Sequence, residues 1–195
     1  MRRQTAYEGI STGRPRTAAV LAAAAFAAIS CAPADGDPPA AAATGETPTP
    51  GAAAPATASR PVSDARFRTL SGEWASLAEY RGQVVILNLW GTWCVPCRRE
   101  IPELVEIERA YAGRGVAVIG LAIDSGEPEE IRAFADGYGV RYAIWTTDMA
   151  TALTEFQAVG YPFTLLIARD GTIRHQFYGP QTLDSLAPEI EALLD

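Results

Sequence analysis

Hydrophobic positions after residue 62 fall into two kinds of block, short unbroken apolar runs and longer stretches with a helical period. The runs Val84–Trp90 and Val116–Ile123 are rich in β-branched residues, as strands buried on both faces of a parallel sheet are. Between them Ile101, Leu104, Ile107 and Tyr111 recur at helical spacing. They predict a helix over about 95–114, kinked at Pro102 and ended by Gly113 and Gly115. Ahead of the first run, 66–70 and 73–75 flank Ser71-Gly72 as a small hairpin, with Trp74 expected in the core, and 77–80 reads as a short helix. Beyond the second run the pattern predicts a helix over 127–138, a short strand over 142–145 and a helix around 149–156. A hairpin of 165–168 and 173–178 around Arg169-Asp170-Gly171, then an amphipathic helix over 182–194, close the chain. Alternating β and α elements with a late hairpin imply the α/β class, a mixed central sheet flanked by helices on both faces.

The front of the chain has neither period. Arg2, Arg3, Arg14 and Arg16 precede the short alanine-rich apolar stretch 17–30, which reads as an export signal over 1–30. It is short for a spanning helix, and no second hydrophobic segment follows. Residues 31–62 are mainly Ala, Pro, Thr and Gly, and 32–60 include no aromatic, so this stretch reads as a flexible tether. Some 133 residues, 63–195, remain for one domain with one hydrophobic core.

Charge narrows the partners. All 16 basic residues are arginine, and after Cys31 there are 12 Arg against 22 Asp and Glu. A net charge of about −10 over that part of the chain argues against nucleic acid.

The chemistry concentrates where the first apolar run ends. Gly91-Thr92 breaks it just before Trp93-Cys94-Val95-Pro96-Cys97, so two cysteines sit where a strand hands over to a helix. The unpaired N–H groups and positive dipole end of a first helical turn favour an anion, which should lower the pKa of the Cys94 thiol. Pro96 suits a first turn, because its missing N–H has no helical partner there. A Cys-x-x-Cys pair beside a β-α unit signals thiol redox chemistry. Two other readings stand beside it. A structural zinc site needs about four ligands, while the pair is supplemented only by Cys31 and His175. A purely structural disulfide over so short a loop would restrain the unfolded chain little.

Trp93-Cys94-Val95-Pro96-Cys97 resembles the Trp-Cys-x-Pro-Cys site of the thioredoxin superfamily, and the stretch from Asn88 to Glu100 is most similar to its TlpA/ResA-like thiol-disulfide oxidoreductases. The resemblance implies a thioredoxin fold with an N-terminal hairpin and a central α-β insertion. It also implies an extracytoplasmic enzyme that reduces protein disulfides through Cys94 and Cys97, for example in cytochrome c maturation or copper-site assembly. Ala28-Ile29-Ser30-Cys31 is similar to a bacterial lipobox, with Ala28 where Leu is usual, so Cys31 would be lipidated and anchor the protein to a membrane. Gly160-Tyr161-Pro162-Phe163-Thr164 resembles the segment whose cis-proline faces the cysteines, with Phe163 where the pattern usually has Thr. Tyr161 and Pro162, together with Trp93, Val95 and Pro96, would then line the substrate groove, Tyr161 through its backbone.

Two residues bear on proton movement. Asn88 stands where thioredoxin commonly has a buried Asp, and it cannot act as acid or base. Glu100 matches a glutamate that ResA-like members place near the dithiol; it either tunes the cysteines and accepts the Cys97 proton, or lies on a solvated helix face. Val95-Pro96 supplies neither cation nor His, which argues for a reducing pair. The partners expected are a disulfide-bearing client, a membrane thiol reductant of the DsbD/CcdA kind and the membrane itself. No cofactor and no metal is expected, and a monomer is.

A peroxiredoxin would share the fold, but it would want Pro-x-x-x-Thr-x-x-Cys, which Gly91-Thr92-Trp93-Cys94 lacks. A Sco-like copper module would want one more residue between the cysteines and a later His. His175 reads instead as a residue of the last hairpin. A non-catalytic lipoprotein module is the remaining alternative.

Overall fold

A computed structural model describes residues 60–195. The export signal, the lipobox with Cys31 and the tether up to residue 59 lie outside the described residues. In chain order the strands are β1 (Arg60–Pro61), β2 (Arg66–Thr69), β3 (Trp74–Ser76), β4 (Val84–Trp90), β5 (Val116–Ile123), β6 (Ala143–Thr147), β7 (Phe163–Ile167) and β8 (Thr172–Tyr178). The helices are α1 (Cys97–Ala110), α2 (Pro128–Gly137), α3 (Met149–Phe156) and α4 (Leu183–Leu194), with a single 3₁₀ turn at Leu77–Tyr80. The eight strands form one sheet in the order β1-β8-β7-β4-β5-β6-β2-β3. Its centre, β4-β5-β6, is parallel, and every other pairing is antiparallel.

All seven residues of β4 are buried, because the strand is covered on both faces. Ile86 and Trp90 point into a core built with Ile101, Leu104 and Ile107 of α1, Ile131 of α2 and Leu186 and Ile190 of α4. Val85, Leu87 and Leu89 point the other way, into a core with Phe67 of β2, Trp145 of β6 and Phe156 of α3. The period of two along the strand thus sorts one apolar run between two cores. Asn88 shares the α1 face with Ile86 and Trp90, and across the ladder it stands opposite Thr164 of β7 on one side and Gly120 of β5 on the other.

The α/β thioredoxin fold, the hairpin and the inserted α2-β6-α3 unit match the expected architecture. The hairpin β2-β3 is not an appendage, since β2 pairs with β6 and extends the sheet. Three expectations change. The folded domain includes residues ahead of 63, because Arg60 and Pro61 pair with Ile173 and Thr172 of β8 and Val62 is buried. Trp74 is not a core residue: it is 49% exposed, with the Arg68 guanidinium 3.8 Å over its ring. On a hairpin at the sheet edge one face is solvated, and Trp74 lies on that face while Phe67 and Ala75 take the inner one. Helix α1 is shorter than predicted and runs through Pro102. Among the described residues no helix is long and apolar enough to cross a membrane.

Candidate active site

Cys94 and Cys97 form a disulfide at the carboxyl end of β4, where β4 passes to α1. The helix starts at Cys97 with Pro96 as its N-cap, so Cys94 lies just ahead of the first turn instead of within it. The anion-favouring geometry survives this shift. The Cys97 N–H, one of the helix donors without a backbone partner, donates to Cys94 Sγ at 3.2 Å. Cys94 is also less open than its position suggested, at 4% exposed, while Cys97 is fully enclosed. Val95, 66% exposed, and Trp93 form the outer rim of the site.

The loop carrying Cys94 is held from the neighbouring strand. Ser125 Oγ accepts the Thr92 N–H and the Ser125 carbonyl accepts the Thr92 hydroxyl, both at 3.2 Å. Trp93 Nε1 donates to the Ile123 carbonyl at 3.0 Å, and its ring meets Tyr161 edge-on at 5.7 Å. Gly91 is required here, since a Cβ on it would lie 2.6 Å from the Trp93 indole. The Tyr161–Pro162 bond is cis, as expected. Neither the N–H nor the C=O of Tyr161 hydrogen-bonds to backbone within the described residues. Tyr161 also brings a phenol pushed up by burial and by Asp124. Asp124, at φ 41°, ends β5 and accepts the Met149 N–H at 3.1 Å, a turn role.

Glu100 lies in the interior of the fold. It is 1% exposed, which removes the solvated helix face. Its Oε1 accepts the Thr164 hydroxyl and the Gln181 N–H, each at 3.1 Å, and its Oε2 accepts Asn88 Nδ2 at 2.8 Å. Burial pushes the carboxyl up to about 7, against the pull of these three donors. Three residues along a helix put Glu100 and Cys97 on one face, about 5–6 Å apart at Cβ. A buried carboxyl that titrates near neutrality and neighbours a buried thiol can exchange a proton with it.

Sequence reasoning missed Thr164, Gln181 and Ser125 as parts of the site. Thr164 had a faint signal, being two residues past Pro162. Gln181 acts through its backbone and Ser125 through a loop contact, neither of which leaves a mark in residue type. His175 sits on β8 and faces Glu189 at 3.2 Å, away from the cysteines in role. Among the described residues no three His, Cys, Asp or Glu side chains converge to hold a metal ion.

The arrangement has counterparts in known proteins. The model of the AhpC/TSA family matches residues 51–176. The chain is 33% identical over 130 residues to "Thioredoxin-like protein YneN" of Bacillus subtilis, covering 66% of this chain and 75% of that one. It is 33% identical over 125 residues to "Thiol-disulfide oxidoreductase ResA" of Geobacillus kaustophilus, covering 64% and 71%. Among solved structures, a DsbF homologue from Corynebacterium diphtheriae superposes with a TM-score of 0.65 at 26% identity, over 74% of this chain and 96% of its own. A putative thiol:disulfide interchange protein DsbE from Chlorobium tepidum gives 0.63 at 24% identity, over 71% and 98%, a likeness of fold.

Proposed function

The chain belongs to the AhpC/TSA family and is a thiol-disulfide oxidoreductase acting on disulfide-bearing substrates, and from that premise we propose that it is a membrane-tethered, extracytoplasmic reductase of protein disulfides. The observation that carries the direction of attack is the Cys97 N–H on Cys94 Sγ, at a site rimmed by exposed Val95 and Trp93. In the reduced enzyme the same N–H stabilises a Cys94 thiolate. That thiolate attacks one sulfur of a client disulfide, forming a mixed disulfide and releasing the other client sulfur as a thiolate. Cys97 then gives its proton to Glu100 and attacks Cys94, closing the Cys94–Cys97 bond and freeing the second client sulfur. Two electrons have passed from the dithiol to the client. Tyr161 and Pro162, with Trp93, Val95 and Pro96, hold the client chain, Tyr161 through backbone groups that no other backbone group occupies among the described residues.

Cys31, acylated, fixes the protein to the membrane, and the Ala/Pro-rich stretch after it serves as tether. A membrane thiol reductant of the DsbD/CcdA kind returns the electrons, because Val95-Pro96 brings no cation or His to favour the reduced state and an oxidising compartment supplies none. Clients in cytochrome c maturation or copper-site assembly fit a tethered reductase that acts on extended segments. The test is a Cys97→Ala chain expressed in cells, which should accumulate mixed disulfides through Cys94, with the captured clients identified by mass spectrometry. Absence of any Cys94 adduct, with the variant folded, would sink the reading.

A further inference from the structure

The Glu100 site holds one polar atom with no use in the state described. Asn88 is 1% exposed, and its Nδ2 donates both to Glu100 Oε2 at 2.8 Å and to Thr164 Oγ1 at 2.9 Å. Its other end, Oδ1, is fully buried and has no hydrogen-bond partner among the described residues. This is the arrangement of a charged Glu100, since every group around the carboxyl is a donor. A neutral Glu100 needs an acceptor for its own O–H. Oε1 is a poor place for that proton, because it receives two donors and one of them, the Gln181 N–H, is backbone and cannot turn. Oε2 receives only the Asn88 amide, whose opposite end is an idle acceptor.

We propose that Asn88 is the positioning residue that holds Glu100 in both protonation states, presenting Nδ2 to the carboxylate and, after a half-turn of its amide, Oδ1 to the carboxyl O–H. In the neutral state the Thr164 hydroxyl turns from Glu100 Oε1 to Asn88 Oδ1, and Oε1 keeps the Gln181 N–H. In both states the Glu100 carboxyl is then bonded within one buried cluster, and the half-turn moves the unpaired end of the Asn88 amide from Oδ1 to Nδ2, so the proton arrives and leaves without exposing the carboxyl to water. Gly120, beside Asn88 on β5, has its face filled by the Trp90 indole and the Tyr142 ring, so the amide turns in place, exchanging two ends of nearly equal size. The titratable groups facing Glu100 are Cys97 on α1, Glu103 one turn further on, bonded to the Leu183 N–H, and Tyr142, whose phenol burial and Glu100 hold neutral. No guanidinium pairs with the carboxyl among the described residues. The inference rests on the reading of Glu100 as the proton-exchanging group.

The test uses the oxidised full-length protein, labelled for NMR and titrated from pH 5 to 9. The Glu100 carboxyl carbon reports its own protonation, and the nuclear Overhauser effect between the Asn88 Nδ2 protons and the Thr164 side chain reports the amide. That effect should be present above the Glu100 midpoint and fall at least threefold below it, and in Glu100→Gln it should show no pH dependence. A signal that persists through the Glu100 titration, or a Glu100 that does not titrate in this range, overturns the proposal. Disulfide exchange against pH, measured on wild type and Glu100→Gln, separates the two readings. An unshifted profile with a switching Asn88 signal removes Glu100 from catalysis and leaves the amide turn standing. A shifted profile with a constant signal removes the amide turn alone.

Discussion

Glu100 and the two cysteines are the residues through which chemistry and stability are linked. An acid whose pKa is raised from 4.5 to about 7 by burial binds its proton more tightly folded than unfolded, so its stabilising share is complete below pH 4.5 and is lost as pH rises towards 7. The loss amounts to about 3 kcal/mol, because each tenfold gain in proton affinity on folding is worth about 1.4 kcal/mol. Urea unfolding of the oxidised protein should therefore show wild type losing about 3 kcal/mol relative to Glu100→Gln between pH 4 and 8. Parallel pH dependences of the two proteins would mean that Glu100 is not held as described. At the cysteines the expectation concerns rate. Cys97 is fully enclosed and Cys94 takes the helix N–H, so alkylation of the reduced protein at pH 7 should label Cys94 at least about tenfold faster. Faster labelling of Cys97, read by peptide mass spectrometry, would reverse the assigned roles.

Among the elements, the hairpin β2-β3 separates pattern from placement. Its apolar residues are visible in the chain, yet two of its aromatics meet opposite fates. Phe67 is buried and stacks on Trp145 and Phe156 at 5.9 and 5.8 Å, so it ties the hairpin, β6 and α3 into the second core. Trp74 lies outside under Arg68. Phe67→Ala should cost about 3–5 kcal/mol and open Trp145 to water, seen as a red shift in fluorescence. Trp74→Ala removes an exposed cation–π contact of about 0.5–1 kcal/mol and should leave the unfolding midpoint almost unchanged. Equal costs for the two would mean that the hairpin is not seated on the sheet. Helix α1 shows the converse case, because its buried stripe of Ile101, Leu104 and Ile107 is readable from spacing alone and is buried as read.

At the scale of the whole molecule, the proposal joins an acidic catalytic domain to a membrane through Cys31. In that proposal the anchoring strength of acyl chains, about 0.8 kcal/mol per buried CH₂, makes acylation of Cys31 the decisive step. Cys31→Ser should move the protein from the membrane to the soluble fraction of cells while its reductase activity in solution is retained. A Cys31→Ser protein that still sediments with membranes would point to residues 1–30 as an uncleaved anchor. The groups around Glu100 come from β4, α1, β7 and the β8-α4 loop, all within the described residues.

The order of elements from β2 onward, the two buried central strands, the redox pair and the segment around Pro162 were determined by the sequence, because each rests on local signals: an unbroken apolar run, a period of 3.6, a glycine break, a short motif. The surroundings of Glu100 were open at that level, and only the tertiary structure decided that it is buried and bonded. On the helix it is one polar residue among several, and the groups that bury and bond it lie 12, 64 and 81 residues away in the chain. One of them, the Gln181 N–H, is a backbone group that any residue but proline would supply. Trp74 failed for the complementary reason. Hydrophobicity states that a side chain favours burial, but which face of an edge hairpin meets a core depends on the strand it pairs with, and that partner, β6, comes some 70 residues later.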